Sequence, residues 1–572
     1  MNRNHAFDVV VIGGGVHGLT YATWLKKGRP ETSIAIVERK VTPGFKVGES
    51  TLSSAKRNFI AMGLSMPILR RLFGTKAGLR FWWTDPHTDA LHRHVDVVDI
   101  EETFQVERRV LDMALQETAR RRGITLFTGA RVNLKKSDVD SETKTIVCED
   151  GEGAFTLTCR MLADASGPAS VLARHKKLYR KAPERNQTFT TNAYFAYFKP
   201  KTAVPLRFWE DATTRHLCFP EGWMWLAPLT SWEQTPDENL QRMIRHLLDH
   251  EDGPDACYPT REALSRRFGC TTEQLVSVGF VIRADRDQTK GMSVADRFRH
   301  YGDKHPAIAW VMDYFELVEQ PYGGRAPYQA FTNLVHHSER VAGDGWCLVG
   351  DAAAFTNPLF SPGLNLGSGS CYLAAKATVE ALSRGNLSRP AFAAYEQYMA
   401  DIYDALLNEA DLYHRAFDHV DSYEWALLLK IVFGTADVVP RGLAYTETDP
   451  FVHDLLNPRF RDRVDATRTV LREGEEAGRL PAETAAAVRA IIEPFVKDVL
   501  AQPHVKKLDL GQFFSQYTSD GVRVEHKEHP RPAFGLDPCE ACGSTIDNRL
   551  ERCPACGNPP TCDRTVTHRK AA

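Results

Sequence analysis

One lysine stands where a charge is hard to explain. Lys76 lies in the stretch FGTKAGLRFWW, residues 73–83, with Phe73, Leu79, Phe81, Trp82 and Trp83 close by in sequence. A lysine in so apolar a run either lays its stem on the surface and reaches water, or is held inside, where desolvation favours the neutral amine and lowers its pKa. An amine of the second kind serves as a nucleophile or a hydrogen-bond donor. Near the other end, Cys539, Cys542, Cys553 and Cys556 form C-x2-C-x10-C-x2-C, and each pair is followed by Gly543 or Gly557. Two such knuckles present four thiolates tetrahedrally to Zn2+. With all four positions filled the zinc is structural, and about twenty residues fold around it only when it is bound.

The first sixty residues speak of a dinucleotide. FDVVVIGGGVHGLTYATWLKKG reads as a buried strand over 8–12, a turn with Gly13, Gly15 and Gly18 at G-x-G-x-x-G spacing, and a helix from Val16. Those glycines allow a sharp turn, backbone approach to a pyrophosphate and close helix–strand packing. The helix N-terminus then favours the anion. A second strand ends at Glu38, twenty residues past Gly18, where a carboxylate can accept from ribose hydroxyls. His17, inside the turn, is expected as an exposed first-turn residue.

In DGWCLVGDAAAFTNPLF a strand leads to Gly350 and Asp351 and then to small residues opening a helix. That carboxylate can reach the ribityl chain of a flavin, which NAD lacks. Arg108 and Asp112 fall at i, i+4, either as a cofactor contact or as a surface ion pair. Asp164 and Gly167, in MLADASGPASVLA, suit the adenine end.

Taken in this order, the four pieces resemble the FAD-binding fold of the para-hydroxybenzoate hydroxylase type, over residues 7–385. The resemblance implies a discontinuous FAD domain over 1–395 with an antiparallel substrate sheet inserted at about 186–335. Four further stretches resemble flavin-dependent halogenases of the phenol or pyrrole branch. VGESTLSS, with Glu49 and Ser50, is similar to the loop that folds over the flavin. FTNPLFSPG matches F-x-x-P-x-x-S-x-G at Phe355, Pro358, Ser361 and Gly363. A halide is a large, weakly hydrated anion suited to backbone N–H donors, and because Pro362 has none, the donors are Ser361, Gly363 or Leu364.

Asn357 stands where family members often show Asp, and Phe360 where the tryptophan-specific branch has a glutamate. GWMWLAPL resembles W-x-W-x-I-P, with Ala227 in place of Ile. Trp223 and Trp225 share one strand face. In the family they are thought to keep substrate from the flavin; otherwise they read as core aromatics. TKAGLRF resembles K-x-G-x-x-F. The resemblance implies that reduced FAD, dioxygen and chloride or bromide produce hypohalous acid, which crosses a tunnel to Lys76 and halogenates an electron-rich aromatic, free or carrier-bound. A separate flavin reductase would supply the reduced FAD.

These residues require an α/β architecture: a Rossmann-like FAD fold, the inserted antiparallel sheet, a helical region over 396–518, a linker over 519–538 and a zinc ribbon over 539–560. Helices are expected near 408–435, 459–477 and 482–501, and His414, Asp418 and His419 are expected on a solvated helix face. The 71 basic and 73 acidic residues are well mixed, so no global field favours nucleic acid or membrane. No apolar run reaches the ~20 residues of a membrane span. Seven cysteines scattered through the first 371 residues suit a reducing, cytoplasmic setting. Two rivals share parts of this pattern: an FAD-dependent aromatic hydroxylase, and a non-catalytic zinc-ribbon adaptor.

Overall fold

The computed structural model describes residues 3–84, 90–181, 190–201, 213–250, 255–321, 324–332, 335–430 and 456–501, with short strands at 522–523, 536–538 and 545–547. Val9–Ile12 is wholly buried, as suits a central strand covered on both faces. It pairs in parallel with Met161–Asp164 on one side and Ile34–Glu38 on the other. Trp346–Leu348 and Thr125–Thr128 extend the parallel sheet, and Ala342–Gly343 closes one edge antiparallel. The glycine turn thus opens at the carboxyl ends of these strands, where open α/β sheets bind ligands.

The second sheet is antiparallel in most of its pairs. It runs, edge to edge, through Phe315–Leu317, Thr191–Pro200, Glu273–Arg283, Gly222–Ser231, Thr214–Phe219, Gly74–Thr84, Ala90–Gln105 and Val522–Arg523, with Gln329–Phe331 also on Thr191–Pro200. An insertion over 186–335 supplies only part of it. The lysine-bearing strand Gly74–Thr84 and its partner Ala90–Gln105 come from upstream, and Gly74–Thr84 joins in parallel to Thr214–Phe219. The segment expected as a linker also places Val522 and Arg523 on Leu91 and Ala90 at the sheet edge.

Strand alternation divides this sheet into two cores. Trp82, Met224, Leu226 and Phe280 face Val294–Lys304 and Pro306–Met312. Leu79, Phe81, Trp83, Trp223 and Trp225 face the helical region, meeting Leu412, Tyr413, Tyr423, Phe460 and Ile492. Helices occupy Ala393–Ala416, Pro458–Glu476 and Pro481–Ala501, close to the expected spans. The helix expected near 408–435 is instead two, separated at 417–419. Trp83 Nε1 donates to the Phe417 carbonyl at this break, 3.0 Å away, tying the cover to the sheet.

Charge fastens the same seam. Glu475 accepts from Arg283 at 3.2 Å, from Arg286 at 2.9 Å and from Arg415, while Arg286 also pairs with Asp418. Burial alone would raise the Glu475 pKa, but the three guanidinium groups hold it below the ordinary range. Asp418 is therefore an ion-pair partner, and His414 is fully buried, so neither forms a solvated helix face. A depressed carboxylate stabilises the fold above its unfolded pKa and loses that contribution as pH falls through the folded value. Glu475→Gln is expected to cost about 1–2 kcal/mol after solvent screening. Its melting temperature should fall at pH 7 and converge on wild type as pH drops below about 4, in parallel thermal melts.

Candidate active site

The glycine turn is shaped by backbone contact. Gly13 has φ +105°, and a Cβ there would lie 2.4 Å from the Ala165 carbonyl oxygen; one on Gly18 would lie 2.0 Å from that of Gly13. Gly15 caps the helix Val16–Gly28 with no side chain on its first-turn N–H groups. Glu38 accepts from Gly14 N at 2.8 Å and from Lys40 N at 2.9 Å, which sets the carboxylate beside the turn. A side-chain-free cradle at an uncapped helix N-terminus, with a carboxylate at its rim, fits the pyrophosphate and ribose of a dinucleotide.

Around this cradle several sequence expectations change. Asp112 is buried and its Oδ2 accepts from Lys46 at 2.6 Å, while Arg108 stands 4.0 Å from Oδ1, so the i, i+4 pair is not a surface one. Lys46 had no motif to announce it; it reaches across to within 3.4 Å of where a Gly15 Cβ would lie. Nor is His17 an exposed first-turn residue. Its ring fills the space that a Cβ on Gly350 or Gly367 would need, at 2.1 and 1.9 Å, and burial lowers its pKa. Asp164 spends one oxygen on Ser166 N and the other on Leu172 N, at 2.9 and 2.7 Å, so it organises the turn at Gly167. Asp351 keeps a partly exposed side chain, and its carbonyl is held by His336 Nε2 at 2.8 Å. A cleft leads from Gly350 and Asp351 past Phe355 and Asn357 to Pro362 and Gly363.

The loop at 48–51 is anchored into the second sheet. Glu49 is buried, accepts from Gly48 N at 3.0 Å and from the Tyr197 hydroxyl, and has its pKa raised by burial. Ser50 Oγ meets Thr214 Oγ1 at 2.9 Å. Lys76 is 1% exposed, and Nζ donates to the Thr51 carbonyl at 2.5 Å. Strict alternation from Phe81 and Leu79 would put residue 77, not Lys76, on their face. The pairing register shifts between Lys76 and Gly78, and Gly78 adopts φ +149°, a geometry that side chains disfavour. The positive φ explains the glycine two residues after the lysine.

The halide-type loop is strained. Phe360 and Ser361 both adopt left-handed conformations, φ 65° and 55°. Such residues cost on the order of 1–3 kcal/mol each and persist only where the surroundings hold them. Here Asn357 Oδ1 accepts from Leu359 N and its Nδ2 donates to His414 Nε2, both at 2.9 Å. Burial pushes the His414 pKa down to about 3, so the ring is neutral and can accept. An aspartate at 357 could not make that donation, which accounts for Asn. Phe360 packs on Phe81 and Tyr413, at 5.2 and 4.8 Å between centroids, with Lys430 Nζ 4.1 Å from its ring. Ser361 N donates to the Pro358 carbonyl at 2.9 Å and is already committed. The helix Pro362–Arg384 leaves Gly363 N and Leu364 N in its first turn without a capping side chain.

Trp223 and Trp225 lie 6.0 Å apart on the covered face. Trp225 Nε1 donates to Ser277 Oγ at 3.1 Å, and its ring occupies the space a Cβ on Gly279 would need. The four cysteines of the zinc-type motif lie outside the described residues. The strands Leu536–Pro538 and Thr545–Asp547 pair antiparallel on either side of Cys539 and Cys542. No cluster of three metal-ligating side chains occurs among the described residues, and no described helix is long and apolar enough to cross a membrane.

Known proteins resemble this chain in sequence or fold. Flavin-dependent halogenase malA of Malbranchea aurantiaca is 32% identical over 409 residues, 68% of this chain and 60% of that protein, so less than two thirds of that relative's length is spanned. The 1H-pyrrole-2-carbonyl-[peptidyl-carrier protein] chlorinase of Pseudomonas fluorescens is 25% identical over 69% of this chain and 80% of its own. The crystal structure of halogenase PltM in complex with phloroglucinol and FAD superposes with a TM-score of 0.68 at 18% identity, covering 88% of this chain and 97% of that one. Residues 8–333 match the FAD dependent oxidoreductase family. With the glycine cradle, Glu38 and the Gly350–Asp351 turn assembled on one parallel sheet, the chain belongs to that family of FAD-dependent oxidoreductases.

Proposed function

We propose that this protein is a flavin-dependent halogenase that installs chlorine or bromine on an electron-rich aromatic compound. The observation that carries the reading is the placement of Lys76: a buried amine beside a register shift in its strand, bonded to the Thr51 carbonyl of the loop at 48–51. Reduced FAD, when bound, supplies with dioxygen the oxidising equivalents that convert halide to hypohalous acid. Gly13, Gly15 and Gly18 cradle its pyrophosphate, with Glu38 at the ribose and Asp351 toward the ribityl chain. Arg108, Glu49 and Ser50 support the overlying loop, and Asp164 shapes the adenine-end turn.

Gly363 N and Leu364 N offer the halide its donors, and Pro358 with the strained Phe360 and Ser361 sets their direction. Trp223 and Trp225 fill the covered face, which excludes bulk water and keeps the organic substrate at the Lys76 end. Lys76 then either hydrogen-bonds hypohalous acid or takes up its halogen, so that the oxidant reaches substrate at a fixed point. The substrate is a small phenol or pyrrole, free or held on a carrier. A separate flavin reductase delivers reduced FAD, because the sequence carries one phosphate turn. Cys539, Cys542, Cys553 and Cys556 hold structural Zn2+, a reading supported by the antiparallel strands flanking the first pair.

Lys76→Met, given reduced FAD, oxygen and bromide, is expected to lose at least a hundredfold in brominated product by mass spectrometry while flavin oxidation continues. Gly78→Val should lose product similarly by turning the amine away. Hydroxylated product formed without halide would support the hydroxylase instead. Elemental analysis should find one zinc per chain, reduced to below a tenth in Cys539→Ser/Cys542→Ser.

A further inference from the structure

The second glycine of the turn faces a charge that no motif announces. Apart from its chain neighbours, the only described atoms within 4 Å of where a Gly15 Cβ would lie are Lys46 Nζ, at 3.4 Å, and Asp112 Oδ2, at 3.9 Å. Whatever enters the cradle above this glycine meets the ammonium first. The loop carries it there: Phe45 and Val47 pack on the covered face of the second sheet, with Phe45 edge-on to Tyr197 at 5.9 Å between centroids, and Lys46 between them turns the other way. Asp112 Oδ2 accepts from Nζ at 2.6 Å; the carboxylate side chain is 1% exposed and the lysine side chain 39%. The pair is thus fixed from inside and open at the ammonium, which has spent one of its three donors. Arg108 is turned elsewhere. Its Nη1 points to the Val47 and Gly48 carbonyls, at 3.5 and 3.4 Å, and its Nη2 stands 4.0 Å from Asp112 Oδ1.

We propose that Lys46 is a binding residue for the FAD pyrophosphate: its ammonium, positioned over Gly15 by Asp112, donates to the phosphate oxygens and supplies their counter-charge. This rests on the FAD half of the reading above and not on its halogenation half. A pyrophosphate diester carries two negative charges, whereas the N-terminus of Val16–Gly28 offers the equivalent of about half a positive one. Without Lys46, those oxygens would face the Asp112 carboxylate across the same glycine. With it, the cradle presents a cation to the anion it is shaped to hold. Because Lys46 lies two residues before Gly48, the same contact ties the loop at 48–51 to the bound cofactor.

Affinity for oxidised FAD, read from quenching of flavin fluorescence by the full-length protein, tests the contact without turnover. Lys46→Met is expected to raise Kd at least tenfold in about 50 mM NaCl and less than threefold in about 500 mM, because salt screens a solvent-accessible ion contact. Lys46→Arg should stay within threefold of wild type. A second comparison separates a contact with phosphate from mere neutralisation of Asp112. Lys46→Met/Asp112→Asn is expected to bind FAD at least threefold more weakly than Asp112→Asn alone. Equal affinity of those two variants overturns the assignment, as does a Lys46→Met loss that salt leaves unchanged. Lys46→Gln takes the place of Lys46→Met in both comparisons if the methionine variant does not fold by circular dichroism. Wild-type protein that leaves FAD fluorescence unchanged refutes the cofactor reading itself, whereas quenching with a Kd within threefold of wild type in Lys46→Met at low salt refutes only the role of Lys46.

Discussion

Burying one ammonium group where the second sheet meets the loop at 48–51 is the constraint around which this molecule is arranged. Removing such an ion from water costs several kcal/mol unless good partners replace the lost hydration. Lys76 meets that demand through the Thr51 carbonyl, so the loop over the cofactor cradle and the lysine strand are held by the same bond. Neither can shift independently. The loop at 48–51 and the lysine-bearing strand of the second sheet are coupled through this contact.

The cover makes the burial possible. Helices Ala393–Ala416 and Pro458–Glu476 lie on the face formed by Phe81, Trp223 and Trp225, fastened by Trp83 to Phe417 and by Glu475 to three arginines. The same helices reach the loop before Pro362: His414 bonds Asn357, and Tyr413 packs on Phe360. Two consecutive left-handed residues are thereby held in place. Strain that surroundings over-determine is commonly found where backbone donors must be aimed, and Gly363 and Leu364 follow directly.

Much of the cofactor half was legible because its motifs are local. Gly13, Gly15, Gly18 and Glu38 follow from a strand, a turn and a second strand within forty residues, and the structure assembles them as that spacing requires. Long-range partners were less legible. Lys46 belongs to no motif yet pairs with Asp112; His17 was expected outside and is packed over Gly350 and Gly367; His414 and Asp418 were expected in solvent and are committed to Asn357 and Arg286. Each of these depends on contacts across 57 or more residues of sequence, which helical periodicity does not encode.

By itself the sequence determined the residue types that chemistry can use and their local geometry: the glycine turn, the prolines and serine before a long helix, alternating tryptophans, and a lysine followed by glycine. Local backbone sterics and short spacing suffice for those. Tertiary structure alone decided how they are brought together, because that depends on the register shift beside Lys76, on the parallel seam that brings Thr214–Phe219 next to its strand, and on the helical cover over the sheet face. The lowered pKa of His414 follows from the burial that results, and desolvation is a property of the folded assembly rather than of any stretch of chain.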